Sequence, residues 1–182
     1  MLDIAQKRLL GEVRDAEQRA PIARWTLNGN QAAIVGAAQV GEHWVEAGDN
    51  IFSVSQDGQM AQLTHLADHF GMSFGIYSLS WSPNSRYIAF WMWYSEVNNW
   101  QLAVLDMETK QVTDYCIETD PYASSGHALL KVSAPIWSPD GQQIIVEHRT
   151  DEDGYVVLLD ITKDVAFLIA QNAVPLGWMA AP

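Results

Sequence analysis

Four short strings in this 182-residue sequence carry residue types capable of chemistry. Gly71-Met72-Ser73-Phe74-Gly75 fits the G-x-S-x-G string of serine hydrolases, where a strained strand-to-helix turn presents the serine. Here the preceding THLADHF is polar and loop-like and the following IYSLSW reads as a strand. The context is reversed, so the string is a flexible glycine loop rather than a nucleophile's seat. His65 and His69, with Asp68 between them, have metal-ligand spacing if they share a helical turn, and His127 would reach them from a neighbouring loop. No helix of sufficient length surrounds them and spacing fixes no further ligand, so solvent-facing or loop-packing histidines are the default. Asp151-Glu152-Asp153-Gly154 opens like a calcium loop but lacks the length and closing carboxylate of an EF-hand, which leaves a charged hairpin turn. Cys116 is expected at a strand end, buried and inert. A lone cysteine supplies neither an internal disulfide nor a thiolate zinc site. These strings predict no catalytic residue and no resident metal or cofactor.

Composition narrows the class. The net charge is −12, and an acidic balance opposes nucleic-acid binding, which needs clustered Lys and Arg. Five of the ten basic residues fall within the first 24 positions, so the head and the body differ in kind. Apolar residues make up 48% of the chain, with eight tryptophans, enough to bury a core. The apolar stretches fall short of a membrane span, and MLDIAQKRLLGEV has no apolar signal-type centre. The expectation is a soluble protein with no membrane partner, cytoplasmic, or periplasmic if the chain is a fragment of an exported protein.

The elements that must position any site are set by a repeat. Trp25, Trp81 and Trp137 are each 56 residues apart. TLNGN, SPNSR and SPDGQ follow them, turn-forming strings with Asn or Asp third and Gly or Ser fourth after the tryptophan. Alternating apolar pairs come next: Ala32 and Ile34, Ile88 and Phe90, Ile144 and Val146. The second halves, NIFSVSQDGQMAQLT, WQLAVLDMETKQVTDYC and YVVLLDITKDVAFLIA, each read as strand, polar turn, strand. Four up-and-down strands per unit are predicted, in blades at about 22–63, 76–116 and 133–170. Trp178, preceded by AVPLG as Trp137 is preceded by VSAPI, starts a further unit at 173–178.

PIWSPDGQQIIV and NIFSVSQDGQMAQLT resemble the repeat of TolB-like β-propellers, relatives of the WD40-like propellers, over about residues 22–182. The resemblance implies one four-stranded blade per repeat, with the strand ending in WSPDG innermost. The fold class expected is all-β: three consecutive four-stranded antiparallel blades, the first strand of a fourth, and a short N-terminal helix. That helix is read from Leu2, Ala5, Leu9, Val13 and Ala16, recurring at three- and four-residue steps up to Pro21, and occupies residues 1–21. Propellers close with about four to eight blades. Three blades do not make a low-strain ring, and open blade faces are apolar. Self-association, membership of a larger propeller, or capping of one end by the head are the alternatives.

In such a meander all the tight turns fall at one end of the blades and all the long connections at the other: 37–49, 64–75, 94–99, 117–132 and 149–153. Long loops on a rigid scaffold are where binding residues sit. Trp44, Asp68, Phe70, Tyr94, Glu118, Asp120 and Tyr122 are the candidate ligand-binding residues there, an acidic, aromatic-dotted surface suited to a basic protein or peptide. The competing account is ordinary solubilising charge with aromatics packed onto the blades. A non-enzymatic binding scaffold is the expected function. The alternative, in view of related propellers fused to serine peptidases of the prolyl oligopeptidase type, is a regulatory or substrate-gating piece of a hydrolase whose catalytic domain is absent.

Overall fold

The computed structural model describes residues 2–3, 8–9, 23–36, 39–40, 43–44, 49–66, 70, 74–94, 99–119, 132–149 and 153–179. The chain divides into two compact units, Met1–Ile76 and Tyr77–Pro182.

In the first unit β1 (Leu2–Asp3) pairs antiparallel with β2 (Arg8–Leu9). The four described residues of the head are thus paired as strands, not helical as the apolar spacing predicts. Helices this short are marginal in water without packing, so a local ladder competes. The remainder of the expected helix lies outside the described residues. β3 (Ala23–Trp25), β4 (Gln31–Gly36), β7 (Asn50–Ser55) and β8 (Met60–Gln62) form a sheet in chain order. Within the connection from β4 to β7, β5 (Gln39–Val40) and β6 (His43–Trp44) make a small pair of their own. Ala32, Ala33, Ile51 and Val54 are buried at the sheet's centre. Buried polar groups there are satisfied: the Asp49 carboxylate accepts the Ile76 N–H at 2.8 Å, and the Thr64 hydroxyl accepts the Ile51 N–H at 2.9 Å.

Two further meanders follow. The first is β9 (Phe74–Trp81), β10 (Tyr87–Tyr94), β11 (Asn99–Asp106) and β12 (Val112–Thr119). The second is β13 (Ile136–Trp137), β14 (Gln143–Arg149), β15 (Gly154–Asp160) and β16 (Val165–Gln171). The architecture is therefore three four-stranded antiparallel sheets in up-and-down order, as the repeat predicts. In the second unit these two sheets share a core of Ala89, Trp91, Leu102, Val104, Trp137, Ile144, Val146 and Leu159, among others. Each large apolar side chain so buried contributes about 1.5–3 kcal/mol.

The tryptophan period has a physical content. The Trp137 indole donates to the Ser80 carbonyl at 3.2 Å, and the Trp178 indole donates to the Ile136 carbonyl at 3.3 Å. Ser80 precedes Trp81 as Ile136 precedes Trp137, so each ring hooks the residue before the equivalent ring. Trp81 and Trp137 are buried, whereas Trp25 is 54% exposed. Residues 173–179 form no ladder. That segment, expected as the first strand of a fourth blade, keeps the module's tryptophan contact without its strand pairing, because no pairing strand for it lies among the described residues.

The tight turns are the same object three times. Thr26, Ser82 and Ser138 each donate a hydroxyl proton to Oδ1 of Asn28, Asn84 or Asp140, at 2.6–2.7 Å. The same Oδ1 atoms accept the N–H of Asn30, Arg86 and Gln142. The fourth turn residue takes positive φ: +71° at Gly29, +59° at Ser85 and +71° at Gly141. Glycine occupies that region without a Cβ penalty, and serine does not.

Candidate functional site

Strand direction sorts the side chains. β9, β11, β13 and β15 run toward the tight turns, so the starts of β9 and β11 and the ends of β10, β12 and β14 lie at the long-loop end of their sheets. At the tight-turn end Asn28, Asn84, Asp106, Asp140 and Asp160 accept hydrogen bonds from their own turns. The Asp160 carboxylate there accepts the Lys163 ammonium at 2.6 Å and the Thr162 hydroxyl at 2.8 Å. These bonds, the lysine's first, hold its carboxyl well below the usual carboxylate range although burial opposes them.

The long-loop end of the second unit is built differently. Cross-strand register places Trp93 opposite Trp100 and Trp100 opposite Thr119. On that face Tyr77 and Trp100 have ring centroids 4.7 Å apart, with Trp93 6.2 Å from Trp100. The Trp100 indole N–H is buried and has no hydrogen-bond partner among the described residues. An orphaned buried donor costs about 1–3 kcal/mol, a deficit that an acceptor reaching it would remove. The neighbouring sheet of the same unit closes against this edge. His148 Nδ1 bonds the Glu118 carbonyl, and the Arg149 N–H donates to the Thr119 hydroxyl at 3.1 Å. His148 also stacks on Tyr155, whose hydroxyl donates to Asp153 at 3.0 Å. Arg149 Nε pairs with Glu147 at 2.6 Å.

Of the candidate binding residues, Tyr94 and Glu118 belong to one face of the second sheet, opposite to Trp93 and Trp100, because side chains alternate along strands. Tyr94 is half-buried, its hydroxyl 3.7 Å from Met92 Sδ; burial, helped by the Asp114 charge, pushes its pKa up to about 12. Glu118 is exposed. Phe70 is 42% exposed and stacks on Phe74 at 5.4 Å in the first unit. Trp44 lies in β6, its side chain outside what is described. Asp68, Asp120 and Tyr122 lie outside the described residues, as do His69 and His127 of the metal set. His65 is exposed, its Nδ1 3.2 Å from Gln62 Nε2. Among the described residues no group of three or more His, Cys, Asp or Glu could hold a metal ion. Ser73 is likewise outside them, but the residues after it enter strand β9, where a nucleophile elbow needs a helix. Asp153 of the DEDG string accepts from Tyr155 and Gln171.

Cys116 corrects the sequence reading. It is exposed, not buried, and sits inside β12 at φ +52°. The register of β11 with β12 shifts between Gln101 and Ala103, and this irregularity on a rim strand turns the thiol outward. The Tyr77–Trp93–Trp100 cluster was not among the sequence candidates. Its signal was the aromatic density of FWMWY and NNW around the 94–99 connection.

Among known structures, TolB from Agrobacterium tumefaciens is similar to this chain with a TM-score of 0.54 and 18% identity, over 90% of this chain and 52% of that one. The β-propeller domain of the Trilobed protease from Pyrococcus furiosus, described as having an open velcro topology, aligns with a TM-score of 0.52 and 14% identity, over 82% and 41%. A prolyl endopeptidase aligns with a TM-score of 0.56 and 13% identity, over 82% and 22%. No family model and no curated protein matches the chain. The fold is that of a TolB-like β-propeller, and the chain spans about half the length of the Agrobacterium structure.

Proposed function

We infer that the chain is a non-catalytic propeller scaffold that binds a protein or peptide, preferentially a basic one, at the long-loop end of its blades. It works as part of a larger propeller or in association with further copies. The observation that carries this reading is the contrast between the two ends. The turn carboxamides and carboxylates Asn28, Asn84, Asp140 and Asp160 bond within their own turns, while the other end carries the aromatic cluster of Tyr77, Trp93 and Trp100 and, among the described residues, an orphaned indole donor, with the Glu118 charge at the same end. Aromatic anchors would supply affinity and the −12 charge would steer a cationic segment.

The test is a fluorescence titration with a labelled Lys/Arg-rich decapeptide and a Glu-rich counterpart. The basic peptide should bind more tightly, and Glu118→Lys should weaken it about fivefold in low salt and less at high salt. Equal binding of both peptides, or no effect of the charge reversal, would overturn the reading. The likeness to peptidase propellers favours a second reading, a gating or regulatory piece of a hydrolase. A peptidase and esterase assay of wild type against Ser73→Ala separates them: serine-dependent turnover would end the non-catalytic account.

A further inference from the structure

The rim strands of the three sheets differ in a way that packing within a sheet does not require. β8 has three residues, all exposed. β12, VTDYCIET, carries Asp114 and Glu118 and a register shift. Charges of this kind keep an edge strand from pairing with another chain; irregularities do so too, but β12 and β16 share one. β16, VAFLIAQ, has seven residues and no charge. Val165, Phe167, Leu168 and Ile169 are 37%, 52%, 62% and 50% exposed, so both faces of the strand are apolar and open. It bonds β15 on one side, in regular register from Val165 to Leu168; a shift between Val156 and Val157 then leaves Ile169 outside the ladder, so what sets β16 apart from β12 is its lack of charge.

We propose that β16 is a self-recognition edge, pairing antiparallel with β16 of a second copy about a two-fold axis near Phe167 and Leu168. A chain of charge −12 repels its own copies, so an uncharged strip is where two can approach. The sequence fits the symmetry. Under antiparallel self-pairing about Phe167, Ala166 meets Leu168 in the regular part of the strand, Val165 approaches Ile169 at the register shift, and the flanking Lys163 and Asp164 fall near Gln171 and Ala170. No like charges meet. Lys163 is already held by Asp160 at 2.6 Å. The new ladder would continue the sheet of one copy into the other, and both exposed faces would gain apolar cross-strand partners. This association is independent of the ligand-binding end.

Sedimentation velocity of the full chain from about 1 to 100 µM tests it, against the double variant Phe167→Lys, Leu168→Lys. Both side chains are exposed, so circular dichroism should be unchanged. The wild type is expected to dimerise and the variant to remain monomeric, with the dissociation constant raised at least a hundredfold. Amide exchange across 165–170 gives a second readout on the wild type alone: protection there should rise with protein concentration. A wild type monomeric throughout, a dimer unaffected by the lysines, or exchange at β16 independent of concentration would each overturn the proposal.

Discussion

Replacing Gly141 with alanine tests whether the repeated turn, rather than general burial, holds the blades in place. Gly141 stands at φ +71°, where a Cβ costs about 1–2 kcal/mol. The added methyl would also lie 3.0 Å from Asn84 Nδ2 and 3.1 Å from its Cγ. Asn84 is not free to swing aside. Its Oδ1 accepts from the Ser82 hydroxyl at 2.7 Å and from the Arg86 N–H at 3.0 Å, so yielding costs part of a hydrogen bond, about 0.5–1.5 kcal/mol. The lower entropy of an unfolded alanine returns about 0.4–1 kcal/mol. The net expectation is a loss of about 0.5–3 kcal/mol.

Ser85 supplies the mirror experiment, since it holds the same position at φ +59° with a side chain. Ser85→Gly should gain about 0.5–1 kcal/mol, strain relief exceeding the entropic cost of glycine. Gly29→Ala meets open space and carries only the backbone part. Urea unfolding followed by tryptophan fluorescence reads these as midpoint shifts at constant slope. A neutral Gly141→Ala, or a Ser85→Gly less stable than wild type, would refute the argument that the turn conformation itself is strained by a side chain.

Two other outcomes follow from the same geometry. Trp137→Ala should cost about 3–5 kcal/mol, because the ring is buried and hooked to Ser80, whereas Trp25→Ala, 54% exposed, should cost about 1 kcal/mol or less; equal losses would contradict the slot assignment. Asp160 has a lowered carboxyl pKa, so its contribution is present above the unfolded value of about 3.9 and is lost as pH falls through the folded value. Asp160→Asn should reduce stability at neutral pH and flatten the acid limb of the pH–stability curve; an unchanged limb would count against the Lys163 pairing.

The fold was legible because its determinants repeat. Tryptophan, turn and alternating strand recur at fixed spacing, and all the principal strands fall within a few residues of where that spacing places them, β13 being the shortest at Ile136–Trp137. Local chemistry decides these elements: hydroxyl-to-Oδ1 turns, a positive-φ residue and apolar inner strands such as Asn50–Ser55 and Tyr87–Tyr94, which are buried along most of their length. Cys116 was misread because a rim strand has no repeating burial pattern to copy, and the shift in register depends on the partner strand rather than on the string itself. At the head, apolar steps of three and four suit a helix, but Leu2 and Leu9 also meet across a ladder. The candidate site was only partly legible for the same reason. Phe70, Tyr94 and Glu118 were named by residue type and loop position, but type does not say which face of a sheet a residue takes. Register does, and it puts Tyr94 and Glu118 away from Trp100.

This division has a consequence for where selectivity resides. In the tight turns the Oδ1 of Asn28, Asn84 and Asp140 is already held by a hydroxyl and a backbone N–H of the same turn, so substitution there changes stability first. At the other end Thr119, His148 and Arg149 bond between neighbouring sheets of one unit, and Trp100 keeps an unused donor beside them. Groups that link two sheets set the width of the seam between them, so a ligand acceptor reaching Trp100 would read that spacing as well as the donor. Trp100→Phe removes the orphaned N–H together with part of the indole's bulk, so lost packing offsets the desolvation cost that disappears and the urea midpoint should move little, whereas binding of the basic peptide proposed above should weaken if it uses that donor; unchanged binding would remove Trp100 from the proposed site.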